Sequence, residues 1–508
     1  LAAALVLAGA GLLALRAALP LSRARWGLHM DERIPYDAVQ AILHPADLEH
    51  WVRAVVDGGD QRYGRLFFNA AALVSALPER LAGPQGQILA TRILQIVALL
   101  AALGLLLTAL VPPGPWRLLG ALCLVASAPA EYYLAMPKPE PMQALCLAVF
   151  IGLAAWNGWR FGWHWLWLGL SFGLKISVLP ALAVFTVAAL WRGRLAGIAR
   201  AGAAFVLGWI LAVPVLLAGP RGFKLWASWT IQNTGQGADD ALVSWRSWLP
   251  WISGATAPSP WTLGLILALA AFLWLSWSSS REHSLESRGS SGFWAGLAGL
   301  AWALLVIVAV KRVWGFYLWI PLLLLQASAL GAAAWGWRQG GLRRWAALAL
   351  AGLLAVNAVA TELPRLIRGL ERQAQREQDP EHQLALQDRE ALRQYLAALP
   401  PHAGPWRMAL DPFCYDPGME ALVTHTDIWG YFQAWGESPD LIVLGPRHEE
   451  KEGLPPSSVE YQGVQERRVL RAVHTADKDG HCGQAPCYRS EKLKRLVVLR
   501  KLEGAHGL

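Results

Sequence analysis

Two adjacent carboxylates, Asp31 and Glu32 in "GLHMDERIPYD", follow directly on a very apolar N-terminal stretch. A carboxylate in that place can take a proton from a nucleophile or help to hold a cation, and the plainer alternative is charge balance with Arg25 and Arg33. Single cations stand in or beside apolar runs further along: Arg92 in "ATRILQIVALL", Lys138 beside Glu140 in "MPKPEPM", Lys175 in "GLSFGLKISVLPAL", and Lys311 with Arg312 in "VKRVWGFYLWIP", where Tyr317 follows. Such cations can neutralise a bound anion or snorkel to lipid headgroups. The closely spaced prolines of "MPKPEPM" predict an extended turn that keeps Lys138 and Glu140 out of any helix. "TGQGADD" (234–240) reads as a solvated turn.

The elements that must position these groups are set by composition. The chain has 508 residues, 55% of them hydrophobic and only 16% charged, which describes a polytopic membrane protein and not a soluble enzyme. Apolar blocks near the roughly 20 residues that cross about 30 Å of hydrocarbon predict eleven crossings. They are 1–20, 88–111, 117–135, 139–156, 162–175, 177–191, 201–219, 261–278, 293–310, 315–335 and 343–361, of which the fifth and sixth are short. The first reads as a retained helix and not a signal peptide, because no small-residue cleavage site precedes the acidic pair. The run 66–77 is too short to cross and is flanked by Arg and Pro, so it is expected to lie in the interface.

Basic loops stay on the cytoplasmic side. "WRGRLAGIAR" (191–200) and "WGWRQGGLRRW" (335–345) therefore place 21–87, 220–260 and everything after 361 outside. Against this scheme, "LSRARWGLHMDER" is basic yet external, with Arg23, Arg25 and Arg33 facing lipid phosphates. Two parts are expected: a transmembrane domain over 1–361 and an extracytoplasmic α/β domain over 362–508, the latter opening with a polar helical run at 371–398 and holding strands in "DLIVLGP" and "RLVVLRKL". The net charge of +9 follows from basic loops, and no nucleic-acid motif accompanies it. Cys123 and Cys146 read as small core residues. Cys482 and Cys487 in "HCGQAPCY" close a tight loop if bonded, the reading favoured over metal binding with His481.

The order of "MDER", "YGRLFF", "ATRILQIVALLAALGLLL", "SAPAEYYLAMPKPEPM", "GLSFGLKISVLPAL" and "VKRVWGFYLWIPLLLLQASAL" along 1–335 resembles the GT-C glycosyltransferases, among them the protein O-mannosyltransferases and lipid A aminoarabinose transferases. The resemblance implies an α-helical polytopic GT-C fold. It also implies an inverting enzyme that moves a sugar from a polyprenyl-phosphate carrier to a glycan, lipid or protein acceptor outside the cytoplasm of a bacterial inner membrane. Asp31 would be the general base, and Glu32 would position the acceptor or share a divalent metal with it. No other cofactor is implied. The carrier phosphate would meet Arg92, Lys138, Lys175, Lys311, Arg312 and Tyr317, with Glu140 at the same cavity. A transporter or flippase of lipid-linked substrates, or a non-catalytic scaffold, is the alternative; a transporter would usually show repeated halves, and none is evident.

Overall fold

The computed structural model describes residues 1–23, 30–57, 64–129, 138–191, 197–235, 289–309, 318–375, 380–400, 406–410, 423–427, 439–444, 474–475 and 487–502. They fall in two units, one of Leu1–Pro20 with Ile34–Ala374 and one of Leu21–Arg33 with Gln375–Leu508.

The first unit is helical throughout. Its elements are α1 (Ala2–Arg23), α2 (Met30–Leu43), α3 (Leu48–Val56), α4 (Arg65–Ala82), α5 (Pro84–Leu110), α6 (Pro115–Ser127), α7 (Glu140–Trp156), α8 (Trp165–Leu174) and α9 (Leu179–Trp191). They continue as α10 (Ile198–Ala212), α11 (Pro220–Gly235), α12 (Gly289–Ala309), α13 (Trp319–Gln339), α14 (Gly341–Val356) and α15 (Leu363–Ala374). The last residues of α1 and the first of α2 fall on the other side of the division between the units. Four helical stretches, Ala2–Leu19, Pro84–Leu110, Trp319–Gln339 and Gly341–Glu371, are long and apolar enough to cross a membrane on their own, and six shorter apolar helices accompany them.

A helix coincides with ten of the eleven predicted crossings; 261–278 lies outside the described residues. Two differ in a way that matters. The predicted fifth crossing forms only the ten residues of α8, a rise of about 15 Å or half the hydrocarbon thickness. It stops because Lys175 is extended, at φ −161° and ψ 124°. The predicted eleventh crossing continues through a π turn (Asn357–Glu362) into α15, so the first unit ends at Ala374 and not at the expected 361.

Small residues let the helices approach closely, the usual device where lipid offers no hydrophobic drive for association. A Cβ on Gly169 of α8 would collide with the Phe205 carbonyl of α10, and one on Gly208 of α10 with the Leu166 carbonyl of α8. Outward faces stay apolar. On α4 the residues Leu73, Leu77 and Leu81, spaced at four, are 80, 64 and 78% exposed, while Phe67, Phe68, Ala71 and Ala72 are buried. One face therefore packs on protein and the other presents an exposed apolar stripe. It runs to Ala82, beyond the predicted 77, because Pro78 removes one N–H without ending the helix.

The second unit holds a helix, α16 (Pro380–Ala397), and a six-stranded sheet in the order β2-β1-β3-β6-β5-β4. The strands are β1 (Trp406–Leu410), β2 (Val423–Asp427), β3 (Leu441–Leu444), β4 (His474–Thr475), β5 (Cys487–Leu493) and β6 (Leu496–Lys501). β1 pairs in parallel with β2 and β3, and β6 is antiparallel to β3 and β5. Its core gathers Ala409, Ile442, Leu444, Tyr488 and Leu499. The Tyr488 hydroxyl donates to the Pro439 carbonyl at 2.8 Å, and Arg495 Nε lies 2.7 Å from Asp388 Oδ2 of α16.

Candidate functional site

Polar side chains are rare inside the helical unit, and most of those that are buried share two places. The first is a seam along α5. Gln87, Thr91, Arg92 and Gln95 are each under 5% exposed, and their spacing sets them on one side of the helix. Thr91 donates to the Gln87 carbonyl at 3.0 Å, and its hydroxyl is 3.3 Å from that of Ser75 on α4. Gln87 is also hydrogen-bonded to Gln40 of α2, whose amide donates to Glu79 Oε1 at 2.6 Å. His44 closes this end at 2.9 Å from the same Glu79 oxygen. At the other end Gln95 Oε1 accepts the backbone N–H of Lys138 at 2.6 Å.

The second is an ion pair beside that contact. Lys175 Nζ lies 2.6 Å from Glu140 Oε1, with side chains 19% and 7% exposed. The pair depends on the break after α8. A helix end leaves carbonyls without partners, which is costly away from water. Gln143, one turn along α7 from Glu140, supplies a donor: its amide donates to the Lys175 carbonyl at 2.7 Å and, at 3.1 Å, to the Ser171 carbonyl, which also accepts the Lys175 N–H at 3.2 Å. Ser171 returns a hydrogen bond to the Gln143 carbonyl at 3.3 Å. Lys175 is thus held at both its backbone and its ammonium. Glu140 Oε2 is buried and accepts no hydrogen bond among the described residues. Lys138, two residues before Glu140, adds a second cation.

"YGRLFF" meets "GLSFGLK" at the same break. Gly64 donates its N–H to the Leu174 carbonyl at 3.3 Å. The neighbouring Arg65 is buried, donates to the Ala54 carbonyl, and lies with its guanidinium 5.0 Å from the centre of the Phe68 ring.

The structure thus brings Lys138, Glu140 and Lys175 together, and through Gln95 joins them to the α5 face that carries Arg92. It corrects the expectation that Glu140 stands outside any helix. Glu140 is the first residue of α7, with Pro139 as its N-cap and Pro141 in the first turn, where a missing N–H costs nothing. Gln95, Gln143 and Ser171 were not singled out from the sequence, although a lone Gln in an apolar run is the signal that marks them. Asp31 and Glu32 lie in the first turn of α2, but their side chains are outside the described residues. Lys311, Arg312 and Tyr317 lie outside them altogether, as does Cys482, and of Cys487 only the backbone is described. Among the described residues no three His, Cys, Asp or Glu side chains gather as a metal-binding set.

Closely packed apolar helices, some too short to cross alone, around buried polar groups at a broken helix define a polytopic membrane protein, and its fold is similar to that of a solved membrane protein over nearly the whole chain. The aminoarabinose transferase ArnT from Cupriavidus metallidurans, solved bound to undecaprenyl phosphate, is similar over 99% of this chain and 99% of its own, with a TM-score of 0.50 at 13% sequence identity. The apo state of the same protein gives a TM-score of 0.49 at 14% identity, covering 99% of this chain and 98% of that one. No protein-family model matches the sequence, and no curated protein does.

Proposed function

We propose that this chain is a polyprenyl-phosphate-dependent glycosyltransferase that acts on an acceptor outside the cytoplasm. The observation that carries the reading is the Glu140–Lys175 pair at the α8 break, held by Gln143 and joined through Gln95 to the α5 face bearing Arg92. A GT-C fold and the carrier lipid in the neighbour's structure support it.

In the proposed reaction an acceptor hydroxyl or amine attacks the anomeric carbon as its bond to the carrier phosphate breaks. Inversion follows from this single displacement. The acceptor proton passes to Asp31, and the electron pair of the broken bond leaves on the lipid phosphate. That leaving group is already a stable anion, so cations serve it better than a general acid. Arg92, Lys138, Lys175, Lys311, Arg312 and Tyr317 are the proposed contacts. The second oxygen of Glu140 is suited to accept a hydrogen bond from a substrate hydroxyl or ammonium. Glu32 either positions the acceptor or shares a divalent ion with Asp31, alternatives that metal titration of the purified chain separates.

The test is direct. Purified protein in lipid nanodiscs, given an undecaprenyl-phosphate-linked sugar and extracts of envelope acceptors, should release undecaprenyl phosphate and yield a glycosylated product of inverted configuration. Movement of the intact donor across the bilayer without cleavage would replace the transferase reading with the transporter one.

A further inference from the structure

Two buried acceptor oxygens beside Lys175 are left over after the hydrogen bonds of the α8 break have formed. Gln143 is fully buried, and its amide has only one workable orientation: Nε2 donates to the Ser171 and Lys175 carbonyls, and a flipped amide would set oxygen against oxygen. Its Oε1 is therefore fixed as an acceptor, and among the described residues nothing donates to it. Glu140, 6% exposed, is in the same condition, with Oε1 on the Lys175 ammonium and Oε2 without a donor among the described residues. The two side chains stand one turn apart on α7 and both reach Lys175.

A buried acceptor without a donor is costly, and one such oxygen on each of two neighbouring side chains points to a ligand that brings hydroxyl or amine hydrogens. Lys138 and Lys175 are only partly buried, whereas Glu140 and Gln143 are closed off, so a ligand meets the cations first. Charge then separates a hydroxyl from an ammonium. Lys138 acts on the same carboxylate as Lys175, so two cations face one anion and the group carries one positive charge in excess. A carrier phosphodiester, with its single negative charge, completes the balance. An ammonium would add an uncompensated charge where solvation is poor, and a hydroxyl adds none.

We propose that Glu140 Oε2 and Gln143 Oε1 are specificity-determining acceptors for a neutral hydroxyl of the sugar on the carrier phosphate, and that they discriminate against an ammonium in its place. This assignment rests on the carrier reading above, in which the two lysines hold the phosphate and so bring the attached sugar beside these oxygens.

Equilibrium binding tests it without any need for turnover. The full chain in lipid nanodiscs is titrated with undecaprenyl-phosphate-linked glucose and with analogues in which each hydroxyl in turn is replaced by hydrogen or by an ammonium group. At one position of the sugar both replacements should weaken binding at least about tenfold, the ammonium more than the hydrogen. Glu140→Gln keeps an oxygen for Lys175 but turns the second acceptor into a donor, so at that position the penalty for hydrogen should shrink and the penalty for ammonium should grow. Equal shifts of every analogue in that variant, the mark of a purely structural effect, would overturn the proposal; if the variant does not fold, the parent series decides. Parent binding that is flat across the series, or ammonium analogues bound as tightly as glucose at every position, would also overturn it and leave the two oxygens to a bound water. A parent chain that binds none of these lipids would overturn the proposal together with the carrier reading. The expected pattern in a chain that binds the sugar lipid without transferring it would support the two acceptors while the transferase reading fell.

Discussion

Gly64 lies so close to Gly173 that a Cβ on Gly64 would stand 2.6 Å from the Gly173 carbonyl oxygen and 2.7 Å from that of Ala212. Two glycines distant in sequence thereby set the start of α4 against the end of α8, one residue from Lys175. Gly64 has an ordinary φ of −55°, so the requirement there is for space and not for a left-handed backbone. Gly64→Ala should cost about 1–3 kcal/mol, because the atoms it meets are backbone and cannot rotate away. Its thermal midpoint should fall by several degrees, and transfer should weaken as the Lys175 segment shifts. A midpoint equal to that of the parent chain would show that this contact has slack.

The Glu140–Lys175 pair gives a prediction about energy as well as activity. Removing one partner of a buried ion pair leaves the other uncompensated, at a cost of about 3–5 kcal/mol, whereas replacing both with apolar groups of similar size is often near neutral. Lys175→Met and Glu140→Leu should therefore each destabilise strongly, and the double variant should recover much of the loss. Activity should be absent in all three. Thermal unfolding in one detergent gives the coupling energy; simple additivity of the two single effects would mean that the pair is not coupled.

The membrane architecture was legible because a crossing helix has a long apolar block with charged or proline-rich edges, as at Pro84 and at Arg343 with Arg344. The break after α8 was foreshadowed by a lysine inside "FGLKIS". Its repair was not: Gln143 lies thirty-two residues before Lys175, and no local pattern says that one caps the other. Glu140 was misplaced for a related reason, since prolines that disrupt a helix interior are well tolerated in its first turn. In the second unit, "DLIVLGP" and "RLVVLRKL" appear as the adjacent strands β3 and β6. β5, with Arg, Ser, Glu and Lys in "CYRSEKL", carries little of the apolar alternation by which a strand is recognised.

The start of α3 should respond to acid. Asp47 accepts the His50 backbone N–H at 2.8 Å as an N-cap, and that bond, with the His50 ring beside it, holds the carboxyl below the usual aspartate value. A carboxylate whose pKa is lower folded than unfolded stabilises the helix above the unfolded value, and the effect is lost as pH falls through the folded one. The first turn of α3 should therefore loosen only below about the ordinary aspartate pKa of 3.8. Hydrogen exchange of the 48–56 segment, corrected for intrinsic rates, should rise in that window. Asp47→Ala should show the faster exchange already at neutral pH; a flat profile shared by both proteins would remove the cap from the account.

The acidic pair that opens α2 and the cations near α13 separate proton removal from carrier binding. Asp31→Asn keeps the size and most hydrogen bonds of the side chain but loses its basicity. If Asp31 takes the acceptor proton, turnover should fall by on the order of a hundredfold or more while the lipid donor still binds. Glu32→Gln should do less. Neutralising Lys311 and Arg312 together should act on the other substrate, because their proposed partner is the carrier phosphate. Donor affinity should fall, and saturating donor should restore part of the rate. Both phenotypes can be read with one purified preparation, a polyprenyl-phosphate sugar and single-turnover kinetics. An Asp31→Asn enzyme that turns over like the parent would leave the acidic pair as charge balance for Arg25 and Arg33, and the base would then have to be sought among the remaining carboxylates, beginning with Glu140.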